Sequence, residues 1–341
     1  PFNFSAMNNQ VAGEARGEYL LLLNDDTEII QDTWLERMLQ HARRRDVGAV
    51  GARLVYSNKT LQHAGVVLGL SDSADHPGLG QDMLVRGYMD RFQVAQNFSA
   101  VTAACLLVAR EKYFEVGGMD EDRLKVLFND VDLCLKLGQA GYRNVWTPFA
   151  TVVHHGSSSL GAKKTAEQVR QANQRAAAER LTMKERWLPL LANDPCYNRN
   201  LSLRNRNWQL DTTFMAPWQA GDRDRLRVAG LSSISSGSKY YRMISPLTAL
   251  RKKGLIWETV LPDAKQNPIA TFPRIIELER LQPDTLLIHS VIPQDDSLKQ
   301  YKQFTKTCRI FSLDDLLTET PRYNPAQKTI PRDITALLKR T

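Results

Sequence analysis

The stretch Tyr19–Thr27 reads YLLLLNDDT and decides the fold of the first part of the chain. Its continuous apolar run predicts a short strand buried on both faces, as in a parallel sheet. The run stops at Asn24-Asp25-Asp26, and open α/β sheets bind ligands at the carboxyl ends of their strands. Adjacent carboxylates repel each other unless a cation lies nearby, and oxygen ligands suit Mg²⁺ or Mn²⁺ with a diphosphate. The same four residues, NDDT, also fit a polar turn that caps the next helix.

Strand and helix patterns alternate outward from this stretch. Strand-like segments recur at Val47–Tyr56, Val101–Ala109 and Asn144–His155. A helix is predicted after Asp32, with Met38 and Ala42 among the residues on its apolar face, and a short helix is predicted around residues 131–138. Residues 57–98 are rich in Gly, Ser, Asp and Pro and are predicted to form a long loop. The alternation predicts an α/β domain that ends near residue 160.

A second acidic motif, Asn129-Asp130-Val131-Asp132, opens the predicted short helix. The helix dipole favours an ionised carboxylate in the first turn, so Asp130 is a candidate general base. A plain helix cap fits Asp130 equally well when the motif is considered alone. Asp132 is spaced to form an i,i+4 pair with Lys136, which is a structural role.

A third motif, His154-His155-Gly156, follows the last predicted strand of this domain. A neutral imidazole can bind a divalent cation, although a lone histidine is usually structural. Two histidines followed by Gly and Ser residues indicate a site loop.

The rest of the chain is predicted to contain a helical extension and a second α/β unit. A helix over Lys163–Leu188 is expected to end at Pro189. Strand-like segments at Leu226–Leu231, Thr285–Ser290 and Arg309–Leu313 indicate the second unit. The predicted domains are therefore residues 1–160, a basic extension and linker over 161–224, and a partial α/β domain over 225–341.

Composition restricts the functional classes. The chain has 341 residues, 43% of them hydrophobic and 24% charged, which is typical of globular domains and excludes collagen-like or disordered architectures. Lys and Arg number 45 against 37 Asp and Glu, a formal net charge of +8. The four cysteines are far apart in sequence, which is typical of reduced thiols in a cytosolic protein. No apolar run approaches the ~20 residues of a membrane span, and no secretory signal is apparent.

The charge excess is partly concentrated in residues 161–210, with ten Lys and Arg and four Asp and Glu. Such a segment suits an anionic membrane surface, a phosphorylated substrate or nucleic acid. Because no helix-turn-helix, zinc-finger or RNP signature accompanies it, nucleic acid is not an expected partner. A metal-dependent phosphotransferase or hydrolase is disfavoured because no GxxxxGK[ST] loop is present.

The succession of motifs closely resembles the family 2 glycosyltransferases of the GT-A fold, in the branch that includes bacterial rhamnosyl- and galactofuranosyl-type transferases. The resemblance covers Phe2–Leu160 and rests on NFSAMNNQVAGEARGEYLLLLNDDTE, VTAACLLVARE, FEVGGMDED, LFNDVDLCLKLGQAGYRNVWTP and ATVVHHGSSS. It implies a GT-A-type nucleotide-sugar-binding sheet. Strands that begin such domains are not found before Pro1, so the sheet is expected to be incomplete at its N-terminus.

The resemblance also implies the roles of individual residues. The family's DxD motif stands here as Asn24-Asp25-Asp26, with Asn24 in place of the first acid. It implies that Asp26 and His154 hold Mn²⁺ or Mg²⁺ and that Asp130 is the general base. The residues that it places at the nucleotide sugar are Asn9, Asn24 and Asp25, and those that it places near the acceptor or in the active site are Asn129, Asp132 and His155.

The implied activity is inverting, metal-dependent transfer of a sugar from a nucleotide-diphospho-sugar to a saccharide or lipid-linked saccharide. Such an enzyme would act in cell-envelope polysaccharide synthesis such as that of O-antigen, in the cytoplasm and near the inner face of the plasma membrane. The alternative is a non-catalytic nucleotide- or glycan-binding module derived from a glycosyltransferase. The segment RLRVAGLSSISSGSKYYRMISPLTALRKKG, from residue 225, resembles the first βα unit of GT-B glycosyltransferases. It implies either the start of a GT-B-like module or a non-catalytic α/β accessory domain.

Overall fold

The structure is a computed structural model that describes residues 2–156, 165–214, 216–218, 224–232, 237–261, 273–289 and 297–312. The chain divides into two compact units, Pro1–Leu210 and Asp211–Thr341. The first unit therefore continues past residue 160, where the sequence predicted the end of the catalytic domain.

The first unit is a mixed sheet with helices packed on it. Its strands are β1 (Tyr19–Leu23), β2 (Thr27–Ile29), β3 (Val47–Val55), β4 (Leu61–His63), β5 (Val67–Leu68), β6 (Ala74–Asp75), β7 (Gln96–Phe98), β8 (Cys105–Ala109) and β9 (Arg143–His154). Its α-helices are α1 (Phe4–Glu14), α2 (Trp34–Ala42), α3 (Arg110–Glu115), α4 (Asn129–Gln139) and α5 (Ala166–Ala192). Two short 3₁₀ segments lie at Leu70–Asp72 and Tyr88–Gln93. The predicted loop over residues 57–98 thus contains several short strands.

The strands of the main sheet run in the order β1-β8-β3-β9-β2, with β4 beside β3 and β7 beside β9. Strands β3 and β9 are parallel, whereas β1 pairs with β8 in antiparallel fashion. The expectation that YLLLL pairs in parallel was therefore wrong. Within the described part of the chain β1 is an edge strand, yet both of its faces are packed: Leu20 and Leu22 are buried on one face, and Leu21 packs against the core on the other.

The core of this unit lies between the sheet and α2. Val50 and Leu54 of β3, Leu107 of β8 and Val152 of β9 are buried in one cluster. Met38 and Ala42 of α2 pack against it, which confirms the predicted apolar face of this helix. The helix begins one residue later than an Asp32 cap would give, because Thr33 occupies the N-cap position.

Helix α5 continues through Pro189 to Ala192, beyond the end predicted from the proline. The residues around Pro189 explain this, since Leu188, Leu191 and Ala192 are all buried. The free energy gained by burying these side chains exceeds the cost of the backbone hydrogen bond that a proline inside a helix cannot donate. The N-terminal turns of α5 are exposed, and a capping box at Thr165 closes that end.

Several basic residues of the 161–210 segment are paired within the first unit. Lys184 Nζ lies 2.7 Å from Asp72 Oδ2, and Arg206 lies 2.7 Å from Asp75 Oδ2. Arg186 bridges Asp120 and Asp132, at 2.7 Å from each. These three of the segment's ten basic residues are therefore paired with acids elsewhere in the first unit. Among the described residues, no helix combines the length and the apolar character needed to cross a bilayer.

The second unit is a parallel α/β sheet. Its strands are β10 (Leu226–Ser232), β11 (Ile256–Val260), β12 (Thr285–His289) and β13 (Cys308–Ser312), in the order β11-β10-β12-β13. Its helices are α6 (Gly237–Lys239), α7 (Ser245–Lys252), α8 (Ile275–Leu281) and α9 (Ser297–Phe304), with a π-helical turn at Tyr240–Ile244. All three strand pairings are parallel, which agrees with the predicted α/β character.

Candidate active site

A pocket of about 360 Å³ opens in the first unit where several elements end. It brings together residues of all three predicted motifs, Asn24, Asp130 and His154. The remaining lining comes from α1, the 66–76 and 102–104 segments and the start of α4. These residues are Phe4, Val66, Ala74, Asp75, His76, Thr102, Ala103, Ala104, Val126, Leu127, Phe128, Asn129 and Val131.

Asp26 and His154 meet because their backbones are paired. Thr27 of β2 is in register with His154 of β9, and the backbone N–H of His155 donates to the carbonyl of Asp26 at 2.9 Å. Oδ1 of Asp26 consequently lies 2.8 Å from Nε2 of His154. Both side chains are mostly buried, at 21% and 13% exposed. Residues 128 positions apart in the chain thus form one pair at the edge of the sheet.

The contacts of His154 leave its Nε2 facing Asp26. Its Nδ1 lies 2.5 Å from Oε1 of Gln62, and a ring with its proton on Nδ1 donates to that oxygen. The side-chain amide of Asn24 lies 3.3 Å from Nε2. With the proton on Nδ1, the lone pair of Nε2 faces a carboxylate oxygen 2.8 Å away. A nitrogen and an oxygen acceptor in this arrangement can bind one cation together.

A divalent cation fits this pair. Two ligands at about 2.1 Å from one ion and at right angles are separated by about 3 Å, close to the observed 2.8 Å. Gln62 contacts the ring nitrogen that faces away from Asp26, as the hydrogen-bond partners of metal-bound histidines do. Within the described ranges, no group of three or more His, Cys, Asp or Glu side chains could hold a metal. The pair therefore suits a cation that also takes phosphate oxygens and water, as Mg²⁺ does at phosphate sites.

Gly156 follows the histidine pair and lies against the side chain of Gln62. Its φ is +44°, and a Cβ on it would lie 2.7 Å from Nε2 of Gln62. A larger residue would displace the amide that orients His154. Ser157–Ser159, which completed the predicted site loop, lie outside the described residues.

Asp130 is held by backbone amides at the start of α4. The N–H of Ala103 donates to Oδ2 at 3.1 Å, and the N–H of Val131 donates to Oδ1 at 2.8 Å. Asn129 is buried beside it, with Oδ1 accepting from the N–H of Asp130 at 2.8 Å. Both donors fix the orientation of this side chain, and a carboxylate is a group that can accept a proton from a hydroxyl.

The segment before Asp130 is fixed by a buried carboxylate of α5. Glu179 is 2% exposed and accepts from the N–H groups of Val126 and Leu127, at 3.0 and 3.1 Å. Phe128 follows in the left-handed region, with φ 61° and ψ 6°, and serves as the N-cap of α4. Sequence reasoning missed Glu179, because a single acid on a long polar helix carries no motif.

The structure places other predicted residues outside the pocket. Oδ1 of Asn9 accepts from Tyr113 Oη at 2.6 Å and from the N–H of Met119 at 2.9 Å, so Asn9 joins α1 to the loop after α3. Asp132 is fully buried and accepts from Arg186 at 2.7 Å and from the indole of Trp187 at 2.9 Å. Its predicted pair with Lys136 is present at 3.4 Å. The contacts of Asn9 and Asp132 are those of structural residues.

Asp25 and His155 also lie away from the pocket lining. Asp25 is exposed in the turn between β1 and β2. His155 is half-exposed and contacts Ser57 at 2.9 Å and Glu28 at 3.2 Å. Of the two adjacent histidines, the structure brings His154 alone into the pocket.

Two further histidines meet at the pocket and were missed. Nδ1 of His63 lies 3.0 Å from Nδ1 of His76, which lines the pocket. Burial lowers the pKa of both imidazoles, most strongly at His63; the negative charges of Asp130 and Asp75 act against it at His76. They come from the stretch predicted as a loop, where no periodicity signals that a residue is buried.

Residues 2–110 match the family model of glycosyl transferase family 2. This part of the chain is therefore a glycosyl transferase family 2 domain. The match includes Asn24, Asp25 and Asp26, whereas Asp130 and His154 lie beyond it.

The chain is also similar to curated bacterial proteins. It is 46% identical over 212 residues to the uncharacterized protein y4gI of Sinorhizobium fredii, which covers 62% of this chain and 23% of that protein. It is 39% identical over 169 residues to the O-antigen biosynthesis protein RfbC of Myxococcus xanthus, an alignment that covers 49% of this chain and 13% of that protein. An N-acetylglucosaminyl-diphospho-decaprenol L-rhamnosyltransferase of Mycobacterium tuberculosis is 44% identical over 61 residues, which are 18% of this chain and 20% of that protein. The chain thus spans a quarter or less of each of these relatives.

Among solved structures, that of GalNAc-T7 with UDP, GalNAc and Mn²⁺ aligns with 58% of this chain and 46% of its own, at 13% identity and a TM-score of 0.36.

Proposed function

We propose that the first unit is the catalytic part of an inverting glycosyltransferase that moves a sugar from a nucleotide-diphospho-sugar to a saccharide hydroxyl. The observation that supports this most directly is the meeting of two chemistries in one pocket. His154, which lines one part of it, pairs with Asp26 just outside the lining as a cation-binding pair, and a backbone-held carboxylate, Asp130, lines another part. A donor diphosphate needs the first, and an acceptor hydroxyl needs the second.

Asp130 acts as the general base in this proposal. Its carboxylate takes the proton of the acceptor hydroxyl as the oxygen bonds to the anomeric carbon, and the bond from that carbon to the nucleoside diphosphate breaks. One displacement with one base inverts the anomeric configuration. Asn24 lines the pocket beside His154 and would contact the donor in this proposal, while Asn129 accepts the backbone N–H of Asp130 at the start of α4.

Asp26 and His154 would hold Mn²⁺ or Mg²⁺ together with the donor's phosphate oxygens. When bound, the cation supplies charge neutralisation for the departing diphosphate. Gln62 contacts the other ring nitrogen of His154 and keeps the ring in the orientation that such binding requires.

The names of the relatives narrow the substrate class. One is named for O-antigen biosynthesis and another for rhamnosyl transfer onto a diphospho-decaprenol lipid. We therefore propose hexosyl or deoxyhexosyl transfer onto a saccharide or lipid-linked saccharide, in the synthesis of a cell-envelope polysaccharide. A cytoplasmic location at the inner face of the plasma membrane belongs to the same proposal.

The second unit is proposed to be the start of a GT-B-like module. Its parallel order β11-β10-β12-β13 and the helical segment from Gly237 after β10 support this. Two linked transferase modules would suit the assembly of a repeat unit.

Isothermal titration of UDP, GDP and dTDP into the 341-residue chain, with and without Mn²⁺, tests the donor site. We expect one nucleotide to bind, and to do so only in the presence of Mn²⁺. The Asp26→Ala variant should lose this metal-dependent binding. Glu28→Gln is the matched control, because Glu28 is an exposed acid two residues away and contacts His155 instead. It should bind as the wild type does.

The outcomes separate the proposal from its alternative. Metal-independent binding, or equal loss in both variants, contradicts the cation site. Metal-dependent nucleotide binding with no glycoside formed from any of the matching nucleotide sugars supports the non-catalytic binding module instead.

A further inference from the structure

We infer that Phe128, together with Phe4 and Leu127, forms an apolar wall that stacks on the C–H face of the acceptor sugar ring. This inference rests on the proposed function and names a specificity-determining surface for it. The wall is defined by these three side chains, all of which line the pocket that contains Asp130.

The backbone of Phe128 is strained, and that strain needs a reason. Its φ of 61° and ψ of 6° lie in the left-handed region, which bulky residues seldom adopt. An N-cap position favours Ser, Asp, Asn or Gly, and Gly adopts a positive φ without penalty. Phe128 offers no capping side chain. A large aromatic residue at a position suited to a small one indicates that the ring itself is used.

The surrounding structure enforces this conformation. The Glu179 carboxylate binds the N–H groups of Val126 and Leu127 from α5. On the other side, the carbonyl of Phe128 accepts the N–H of Asp132 at 2.8 Å, in the first turn of α4. The chain is therefore held both before and after Phe128. Contacts from two helices determine where the ring lies.

The wall is apolar and open to solvent. Leu127 is 37% exposed, and Phe4 and Phe128 are partly buried. The backbone N–H of Phe4 donates to the carbonyl of Lys125 at 2.8 Å, which fixes the start of α1 beside the same segment. Apolar side chains that a fold positions and leaves uncovered within a pocket are suited to a ligand's apolar face.

The position of the wall favours the acceptor over the donor. Phe128 is two residues before Asp130, the group proposed to receive the acceptor's proton, whereas the cation pair comes from β9 and the turn after β1. A pyranose ring has polar hydroxyl edges and a face of C–H groups. Those C–H groups are attracted to the negative face of an aromatic ring. The wall therefore suits an uncharged saccharide, held so that one hydroxyl reaches Asp130.

Saturation-transfer NMR on the 341-residue chain tests the wall. The probes are the methyl glycosides of α-L-rhamnose, β-D-galactose and N-acetyl-β-D-glucosamine, each with and without Mn²⁺ and the nucleotide that binds. Irradiating the aromatic protons should saturate the ring C–H protons of at least one glycoside. We expect Phe128→Gly to reduce this signal at least fivefold and Phe128→Trp to retain it. Phe149→Ala, at an exposed phenylalanine of the same unit outside the pocket lining, should change nothing.

Two further measurements distinguish this role from packing. Phe128→Gly should unfold at a higher temperature than Phe128→Ala, because glycine relieves the strain at φ 61° that alanine retains. Metal-dependent nucleotide binding should be unchanged in Phe128→Gly. Weaker nucleotide binding in that variant would overturn the inference by assigning the ring to the donor.

The failure of the wall and the failure of the proposed function can be told apart. A wild-type chain that binds nucleotide but gives no glycoside signal, or a signal that Phe128→Gly leaves intact, overturns the wall alone. A chain that binds no nucleotide overturns the proposed donor site. The glycoside signal measured without nucleotide still tests whether the apolar wall binds a sugar ring.

Discussion

The two acidic groups of the candidate site, Asp26 and Asp130, are held in opposite ways. Asp26 faces a titratable partner, His154, 2.8 Å away across paired strands. Asp130 faces the backbone N–H groups of Ala103 and Val131 at the start of a helix. The first carboxylate can exchange a proton for a cation, while the second has partners whose charge never changes.

This difference underlies the roles proposed for the two carboxylates. Fixed amide donors orient the carboxylate of Asp130 as a proton acceptor. The carboxylate of Asp26, beside an imidazole nitrogen, offers an oxygen ligand next to a nitrogen ligand for one divalent cation. Changes at Asp130 should therefore affect turnover, and changes at Asp26 or His154 should affect donor binding.

The largest expected effect is that of Asp130→Asn. General-base catalysis contributes about 10²–10⁴-fold to rates, so we expect kcat to fall by about 10³-fold. Metal-dependent binding of the nucleotide should persist, since the cation pair is untouched. Initial rates of glycoside formation with the nucleotide sugar identified by titration, and titration of the variant itself, measure both.

Asp122→Asn is the matched control, because Asp122 is an exposed acid on the loop that precedes α4. It should turn over as the wild type does. A kcat for Asp130→Asn within threefold of the wild type would remove Asp130 from the base role.

A smaller effect is expected at Gln62, which contacts His154 and not the cation. Gln62→Ala removes the acceptor that holds Nδ1–H, 2.5 Å away, so the ring can rotate and change tautomer. Loss of such a partner typically lowers metal affinity by about 10–100-fold, and we expect the Mn²⁺ requirement of nucleotide binding to rise by that factor. Titration of Mn²⁺ at a fixed nucleotide concentration measures it.

Gln62→Glu supplies an equivalent acceptor and should restore most of the affinity. Gln171→Ala, on the exposed face of α5, is the surface control. If Gln62→Ala and Gln171→Ala have the same Mn²⁺ requirement, the orientation of His154 does not depend on Gln62.

The sequence predicted the parts of the fold that local patterns encode. The apolar face of α2 and the strands around Val47–Val55 and Arg143–His154 follow from periodicity, and all are present. The pairing direction of β1 does not follow, because a short apolar run reads the same in either direction. Helix α1 was missed altogether, since its apolar residues show little periodicity.

The residues of the candidate site also divide into those that a sequence motif predicted and those that no local pattern signals. Asn24, Asp130 and His154 stand in short motifs and meet in one pocket. Gln62 and Glu179 act through side chains that reach across the fold, and nothing near them in sequence signals this. Asn9 and Asp132 stand beside motif residues, yet their side chains are committed to structural hydrogen bonds.

The smallest expected effect concerns the third pair at the pocket, His63 and His76. Burial lowers the pKa of both below the usual 6.5, so the folded chain keeps them neutral at a pH where the unfolded chain protonates them. The unfolded state then binds more protons, and the free energy of unfolding falls as the pH drops below about 6.5. The slope approaches about 1.4 kcal/mol per pH unit for each neutral imidazole. Hydrogen exchange of the β3 and β8 amides between pH 7.5 and 5.5, corrected for intrinsic rates, measures this slope. The His63→Gln variant should have a slope that is shallower by about 1.4 kcal/mol per pH unit, which corresponds to one proton. An unchanged slope would show that His63 does not resist protonation in the folded unit.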